Sequence, residues 1–389
     1  MVDFAISTED RMIQDTVRKF VDKELIPRER EYIQRDIKGE SGFLPLSELR
    51  QLQRLGKEAG IWGIDCPETY GGLNLSPFTQ ALINEELGRT FIKFRFGGTA
   101  PSVLYLVNDE QKKEYLLPYI AGERQGAFAL SEPGGGSDAR RPRTTAVKQG
   151  DEWVINGEKT WISLATDADF AVVFATTRAE DGTEGVSAFL VDRSLGWTAT
   201  PIANMGFDGT SSLHFNNVRV PARYLIGEVN KAFNLAMLFI YRNRGYNLAP
   251  KNVGAATRLL AMALEHAENR TTFGKKLAER ENIQFMITES EVELRAARLL
   301  AWHAAWQASE QQDFRYAACA AKYYAAQMSN RVVDRVMQIH GAMGFAKETG
   351  IERWYRDLRV ERIYEGSDEI NLAWMWKDLQ SRRTEIGQM

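Results

Sequence analysis

Residues 356–371 read RDLRVERIYEGSDEIN, and the character of the chain changes in the middle of them. Basic and apolar residues lead up to Tyr364-Glu365-Gly366-Ser367, after which Asp368 and Glu369 open a new amphipathic run through Ile370, Leu372 and Trp374. Gly366 permits a bend that a residue with a Cβ does not take easily. Ser367 is placed to cap the helix that follows, with two acids in its first turn opposing the positive end of the helix dipole. Glu365 is therefore a carboxylate presented on a tight turn between two elements. Spacing alone makes it a solvated turn residue, because charged side chains ordinarily sit at the surface. Any further role has to come from other stretches.

The 389 residues suffice for two or three domains with a sizeable core. Hydrophobic content of 44% and charged content of 26% are ordinary for a globular protein. A net charge of −3 gives no electrostatic reason to expect nucleic acid or an anionic membrane as partner. Cys66 and Cys319 are too few for a disulfide framework, which fits a reducing compartment. The opening MVDFAISTED has neither the basic start nor the apolar core of a secretory signal. No apolar run approaches the roughly 20 residues that span a bilayer. The expectation is a cytoplasmic enzyme. His214, His266, His303 and His340 show no metal-ligand spacing, so no metal is expected.

Residues 1–122 read as helices. Ser7 with Asp10 makes a capping box before an apolar stripe at Met12, Ile13, Val17 and Phe20, and Pro45 opens a second amphipathic run that Gly60 closes. From 123 to 230 the pattern turns β-rich. Trp153 to Ile162 is two β runs around Asn156-Gly157, a strong hairpin signal. DFAVVFATTR, GVSAFLVDR, GWTATPIA and SLHFNNVRVP follow as strands whose short, even spacing suggests a small antiparallel, barrel-like sandwich. From 231 to 389 four long apolar stripes suit a four-helix bundle. The fold class is α+β, mainly α: helices, then an antiparallel β domain, then a helical bundle.

Four further stretches stand out. Phe128-Ala129-Leu130-Ser131-Glu132-Pro133-Gly134-Gly135-Gly136-Ser137-Asp138 has three consecutive glycines that leave backbone N–H groups approachable and two serine hydroxyls, although such a loop also serves as a plain linker. Trp161-Ile162-Ser163 ends a strand, where a tryptophan also covers a core. Arg270-Thr271-Thr272-Phe273-Gly274 closes a helix, and Gln338-Ile339-His340-Gly341-Ala342-Met343-Gly344 ends another. No phosphate-binding P-loop or strand-initiated dinucleotide fingerprint is present.

Taken together and in this order, these stretches resemble the FAD-dependent acyl-CoA dehydrogenases over nearly the whole chain. The resemblance implies that Glu365 removes the α-proton of an acyl-CoA while the β-hydrogen leaves as hydride to the flavin, giving a trans-2-enoyl thioester. It implies that Ser131 hydrogen-bonds the flavin ring, with Phe128 and Leu130 beside it, and that Ser137 lies near the thioester ligand. Trp161 packs beside the isoalloxazine and Ser163 serves its N5 region. Arg270 and Phe273, with Gln338, Gly341 and Ala342, bind the diphosphate and adenosine side of FAD across subunit interfaces. Ser367 and Glu369 fall on the cofactor side, and Asn243, Arg244, Tyr364 and Gly366 on the substrate side. The family resemblance also implies a homotetramer, built as a dimer of dimers, and electron-transfer flavoprotein as acceptor.

The chain departs from the family pattern in several places. Tyr241-Arg242-Asn243-Arg244 lacks the acid usual before the arginine. The region is about one residue long against the family spacing, which implies a π-bulge, and Pro250 should kink its helix. Arg140, Arg141 and Arg143 either contact CoA phosphates or form a solvated loop. Ala342 replaces a glycine. Asn243 cannot act as a base, which concentrates that role on Glu365. The alternatives are an acyl-CoA oxidase or reductase on the same fold, a non-catalytic flavoprotein relative binding DNA or a partner, and a purely structural helical protein.

Overall fold

The computed structural model describes residues 5–40, 44–97, 102–206 and 209–387. Contacts divide the chain into two units, one of residues up to 61, 75–95 and from 241 on, the other of 62–74 and 96–240.

The first unit is helical. Ser7 caps the helix Thr8–Phe20, accepting from Asp10 N at 3.0 Å. Val17 and Phe20 face inward as the spacing predicts, but Met12 is exposed and Gln14 takes the inward position, where it donates to Glu86 Oε1 at 3.0 Å. The helix Pro77–Leu87 is buried from Thr79 onward and so forms the centre of the unit. Its two buried acids meet arginines from other helices: Glu86 pairs with Arg18 at 2.8 Å and Glu85 with Arg298 at 2.9 Å. Its backbone touches that of the helix Ala249–Asn269. A Cβ at Gly254 would lie 1.9 Å from Glu85 O, and one at Gly88 2.2 Å from Lys251 O. The helices Glu281–Ser309 and Arg315–His340 pack on each other and bury small residues, among them Ala297, Ala301, Ala304, Ala318, Ala321 and Ala325.

The extra residue expected near Tyr241 appears as a π-helical turn, Asn243–Leu248, directly before Ala249–Asn269. Pro250 stands in the first turn of the resumed helix and has no N–H to give Tyr246 O. Asn84 Nδ2 supplies that carbonyl instead, at 2.9 Å.

The second unit holds an eight-stranded sheet: β1 (Gly126–Ala129), β2 (Thr145–Gln149), β3 (Glu152–Ser163), β4 (Phe170–Arg178), β5 (Glu184–Asp192), β6 (Thr198–Ile202), β7 (Thr210–Pro221) and β8 (Leu225–Ile226). The order is β6-β7-β3-β2-β4-β5-β8, with β1 on β4. Most pairings are antiparallel, but β1 and β2 run parallel to β4. Strand β4 is buried on both faces. Phe170, Val172 and Phe174 join Leu104, Tyr115 and Leu190 on one side, while Ala171, Val173 and Ala175 join Trp153, Phe189 and Val218 on the other.

The hairpin expected at Asn156-Gly157 is elsewhere. The chain passes straight through these residues inside β3, at a register shift against β7. Asn156 bridges that bulge to Asn217, accepting its backbone N–H at 2.8 Å, and a Cβ at Gly157 would strike Thr144 at 2.6 Å. The turn lies at Gly150-Asp151, where Gln149 pairs with Glu152 and Gly150 takes φ +59°. Positive φ at the first position of a two-residue loop is a hairpin geometry that glycine supplies. The Asn-Gly signal was a bulge rather than a turn.

Candidate functional site

Glu365 adopts φ +54° and Gly366 φ +89°, reversing the chain ahead of the helix Asp368–Gln380. A left-handed backbone costs a residue with a Cβ roughly 1–2 kcal/mol, so the surroundings must hold it. Two buried cations do so. Arg244, from the π turn, donates through Nε to Glu365 O at 2.6 Å, and Lys322, from the middle of the helix Arg315–His340, donates to Gly366 O at 2.8 Å. Asn371 Nδ2 reaches the same Gly366 carbonyl at 2.8 Å. Glycine is required at 366 on steric grounds as well, since a Cβ would fall 2.3 Å from an Arg244 guanidinium nitrogen. Ser367 caps the next helix, its Oγ accepting from Ile370 N at 3.4 Å.

As a residue Glu365 is only partly buried, but its Oε2 is closed off from solvent and has no hydrogen-bond partner among the described residues. Burial pushes the carboxyl above its usual range, while Arg244, Lys322, the Asn243 amide and Arg95 pull against it. The Glu365 N–H donates to no carbonyl among the described residues. Tyr364 turns its hydroxyl to Glu361 Oε1 at 2.8 Å, and Asn252 Nδ2 holds Glu361 Oε2 at 2.9 Å. Asn243, Arg244, Tyr364, Glu365 and Gly366 thus form one cluster, in which Arg244 grips the turn and faces Cys319 Sγ at 3.4 Å. Glu369 lies exposed in the first turn beyond, where the cap lowers its carboxyl.

Elsewhere in the helical unit, Arg270 caps the end of Ala249–Asn269 and is exposed, with no hydrogen bond or ion pair from its side chain among the described residues. Phe273 forms the tip of a hairpin, Thr271–Thr272 against Lys275–Lys276, at φ +49° and 98% exposed. Gln338 and Gly341 are exposed at the end of Arg315–His340, and Ala342 opens a short helix in which its methyl stands in the open. His266 and His340 stack at 4.3 Å, joining these two helix ends.

In the β unit, Trp161 and Ser163 share the outward face of β3 while Ile162 points in. Trp161 sits at φ +59° on a bulge between Lys159 and Ile162, and its indole is 58% exposed. Ser131 O accepts Thr160 N at 2.9 Å, which fixes the loop to that strand. Phe128 packs on Phe174 and Phe239, and Leu130 is buried, so their side chains are committed to the core. Ser137 is exposed on the loop. Arg140 stacks over Phe233, and Arg143 gives its backbone N–H to Glu132.

The sequence reading missed the groups that hold both sites in place. Glu132 accepts from Lys159 Nζ at 2.8 Å, Thr144 N at 3.0 Å and Arg143 N at 2.6 Å, locking the glycine-rich loop to β3. Burial works to raise the Glu132 carboxyl, but Lys159 and Thr144 bring it below its usual range, and burial pushes Lys159 down to about 8. Lys322 was missed as well. Its signal was a lone lysine in the buried alanine-rich stretch AACAAKYYAA.

The helical unit thus carries a carboxylate on a strained turn whose backbone two buried cations hold, and the β unit carries an exposed tryptophan on a bulge beside a serine. Family models for the acyl-CoA dehydrogenase N-terminal, middle and C-terminal domains match residues 7–123, 127–218 and 230–379. The chain is 34% identical over 386 residues to (R)-benzylsuccinyl-CoA dehydrogenase of Thauera aromatica, covering 95% of each chain. It is 35% identical to the caffeyl-CoA reductase–Etf complex subunit CarC of Acetobacterium woodii, covering 94% of this chain and 96% of that one. The structure of butyryl-CoA dehydrogenase from Megasphaera elsdenii superposes with a TM-score of 0.85 at 29% identity, covering 97% of this chain and 100% of that one. The chain belongs to the acyl-CoA dehydrogenase family. It is an oxidoreductase of the α+β, mainly helical fold of that family, and its cofactor is FAD. The donor set suits such a group: Trp161 offers an uncovered aromatic face, Ser163 a hydroxyl, and Arg270 a guanidinium that has no partner among the described residues and is fit for phosphate. No helix among the described residues is long and apolar enough to cross a membrane.

Proposed function

We propose that the protein catalyses α,β-dehydrogenation of an acyl-CoA thioester, with Glu365 as the base. The observation that carries this is the Glu365 Oε2, buried and unpaired on a left-handed backbone that Arg244 and Lys322 pin from two different helices. Unpaired buried polar atoms and strained residues persist where function retains them. Glu365 takes the α-proton, and the electrons of that C–H bond form the α,β double bond as the β-hydrogen departs with its own pair. Bound FAD supplies the hydride acceptor. The thioester oxygen, on which charge develops, receives the Glu365 N–H, which no carbonyl among the described residues occupies. The raised carboxyl makes Glu365 a stronger base than a solvated glutamate.

FAD is held by Ser131, Trp161 and Ser163 at the ring and by Arg270, Phe273, Gln338, Gly341 and Ala342 at the diphosphate and adenosine end. The assembly is a homotetramer. An exposed apolar stripe at Phe285, Val292, Leu299 and Trp306 supports it, because a seven-residue spacing keeps one helix face. Electron-transfer flavoprotein takes the electrons, and the compartment is the cytoplasm, in keeping with two free buried cysteines. Relatives named as a dehydrogenase and as a reductase leave both directions of the reaction open, so a second reading is reduction of an enoyl-CoA at the same site.

The test is Glu365→Gln. The variant should retain FAD and bind acyl-CoA while flavin bleaching by a good acyl-CoA slows at least about 10²-fold, the lower range for a positioned base. Bleaching within about threefold of wild type, a small barrier change, would remove Glu365 from that role.

A further inference from the structure

We propose that Glu132 and Lys159 are positioning residues for the cofactor: their buried ion pair holds the glycine-rich loop and Ser131 in the conformation that receives the flavin, so that FAD docks on a surface already formed. The proposal rests on the placement of the flavin ring at Ser131, Trp161 and Ser163.

The loop from Pro133 to Pro142 is mostly exposed and carries three consecutive glycines, the composition of a segment that adopts many conformations unless it is tied. One carboxylate ties both of its ends. Glu132, at the start, accepts Arg143 N at 2.6 Å through Oε2 and Thr144 N at 3.0 Å through Oε1. Thr144 is itself fixed to the sheet, its carbonyl accepting Thr176 N at 2.8 Å and its Oγ1 donating to Glu158 O at 3.3 Å. Lys159 completes the clasp. Its Nζ donates to Glu132 Oε1 at 2.8 Å and to Leu130 O at 3.1 Å, while the next residue, Thr160, gives its N–H to Ser131 O at 2.9 Å. Residues 130, 131 and 132 are therefore all held by 159 and 160, directly before the exposed Trp161 on its bulge. Ser131 keeps a hydroxyl that has no partner among the described residues.

Stability alone does not account for the pair. Lys159 is 0% exposed and Glu132 7%, and a buried ion pair is often no more stable than apolar residues of like volume. Burial lowers the Lys159 ammonium to about 8 even with Glu132 pulling it up. Two apolar side chains could fill the same space, but they could not accept two backbone N–H groups at one end of the loop and satisfy a carbonyl at the other. Fixing a loop in its bound conformation removes the ordering cost from the binding step, which strengthens binding without any new contact.

The experiment compares FAD-loaded wild type with the double variant Glu132→Gln/Lys159→Met, which removes both charges and nearly keeps volume. Flavin release on dilution and hydrogen exchange of the 131–145 segment by mass spectrometry are read, with circular dichroism to establish that the variant is folded. Release should be at least about tenfold faster than in wild type, and the segment should exchange faster while the rest of the sheet does not. Release within about twofold of wild type from a folded variant overturns the proposal and leaves the pair a packing element. Should the double variant not fold, Glu132→Gln alone, which keeps an acceptor for Thr144 N, should release FAD at least about threefold faster, and wild-type release from it overturns the proposal equally. Trp161→Ala tests the reading beneath. If it speeds release and the charge variants do not, the flavin placement stands and the positioning falls. If none of them speeds release, the flavin does not lie on this face and both fall. If the charge variants release FAD quickly while Glu365→Gln bleaches at the wild-type rate, the positioning stands and the base assignment falls.

Discussion

Lys322→Met removes an ammonium from the middle of a helix with little change in side-chain length, and two opposing energies decide the result. Lys322 is 1% exposed, and burial pushes its pKa from 10.5 to about 8 against the pull of Glu361 and Asp368, a cost of about 3 kcal/mol at neutral pH. Its hydrogen bond to Gly366 O at 2.8 Å is charge-assisted and contributes roughly 1.5–3 kcal/mol the other way. Asn371 continues to satisfy that carbonyl in the variant. The terms nearly cancel, so the variant should fold, with stability within about 2 kcal/mol of wild type at pH 7. Because the folded protein binds the Lys322 proton less tightly than the unfolded chain, the cost is full below about 8 and gone above 10.5. Wild type should therefore gain stability on the variant as pH rises through that window.

The functional effect has a definite sign. Lys322 holds the Glu365 carboxyl down against burial, so its loss lets the carboxyl rise further. The base works deprotonated, and the acid limb of the pH profile for flavin bleaching should move to higher pH. Lys322→Arg, which keeps the charge, should leave it near its wild-type position. The assay is stopped-flow bleaching by one good acyl-CoA across the pH range, with FAD content checked at each point. An acid limb for Lys322→Met that superimposes on the wild-type limb would refute the reasoning, and Lys322 would then be a packing residue only.

Gly366→Ala puts a methyl carbon 2.3 Å from the Arg244 guanidinium at φ +89°. Displacing the turn by about 1 Å should slow flavin reduction on the order of 10²-fold with FAD retained, and a rate near wild type would show the turn is not strictly positioned. Arg270→Ala should weaken FAD binding by roughly 1.5–3 kcal/mol, read as flavin release on dilution; unchanged affinity would make Arg270 only a helix-end cation.

The order of helices, β unit and bundle was legible because periodicity and capping are local. Ser7 and Ser367 cap as their neighbours predict, and Pro45 stands directly before the helix it was expected to open. Strand β4 was legible for the same reason, since FAVVFA is apolar without interruption. What failed was local chemistry overruled by distant contact. Asn156-Gly157 has the composition of a turn, but pairing with β7 and the approach of Thr144 draw it into a strand. Met12 fits the apolar stripe, yet Gln14 takes the inward place because Glu86, far along the chain, accepts its amide. At the site, motifs marked Glu365, Trp161 and Arg270, whereas Lys322, Glu132 and Lys159 went unmarked. Their importance lies in which carbonyl or carboxylate they meet across 27 to 44 residues of sequence, and no spacing rule encodes that.

Burial that makes Glu365 a better base also works against the fold. Its carboxyl is held above the usual range, so the folded protein binds that proton more tightly than the unfolded chain does. The stabilisation this provides is complete below the ordinary glutamate range and is lost as pH rises through the raised value. The deprotonated form that does the chemistry is therefore the less stable one, a trade of stability for activity. Glu365→Gln removes the titration while nearly preserving shape, including the left-handed backbone and the Arg244 grip on the 365 carbonyl. The variant should melt at a higher temperature than wild type near neutral pH, and the gap should close in acid, where Glu365 is protonated in both folded and unfolded states. Differential scanning calorimetry of the two FAD-loaded proteins over that range measures it directly. A gap that stays constant with pH would mean burial does not act on this carboxyl, and the basis for calling Glu365 a tuned base would be lost even if the variant were inactive.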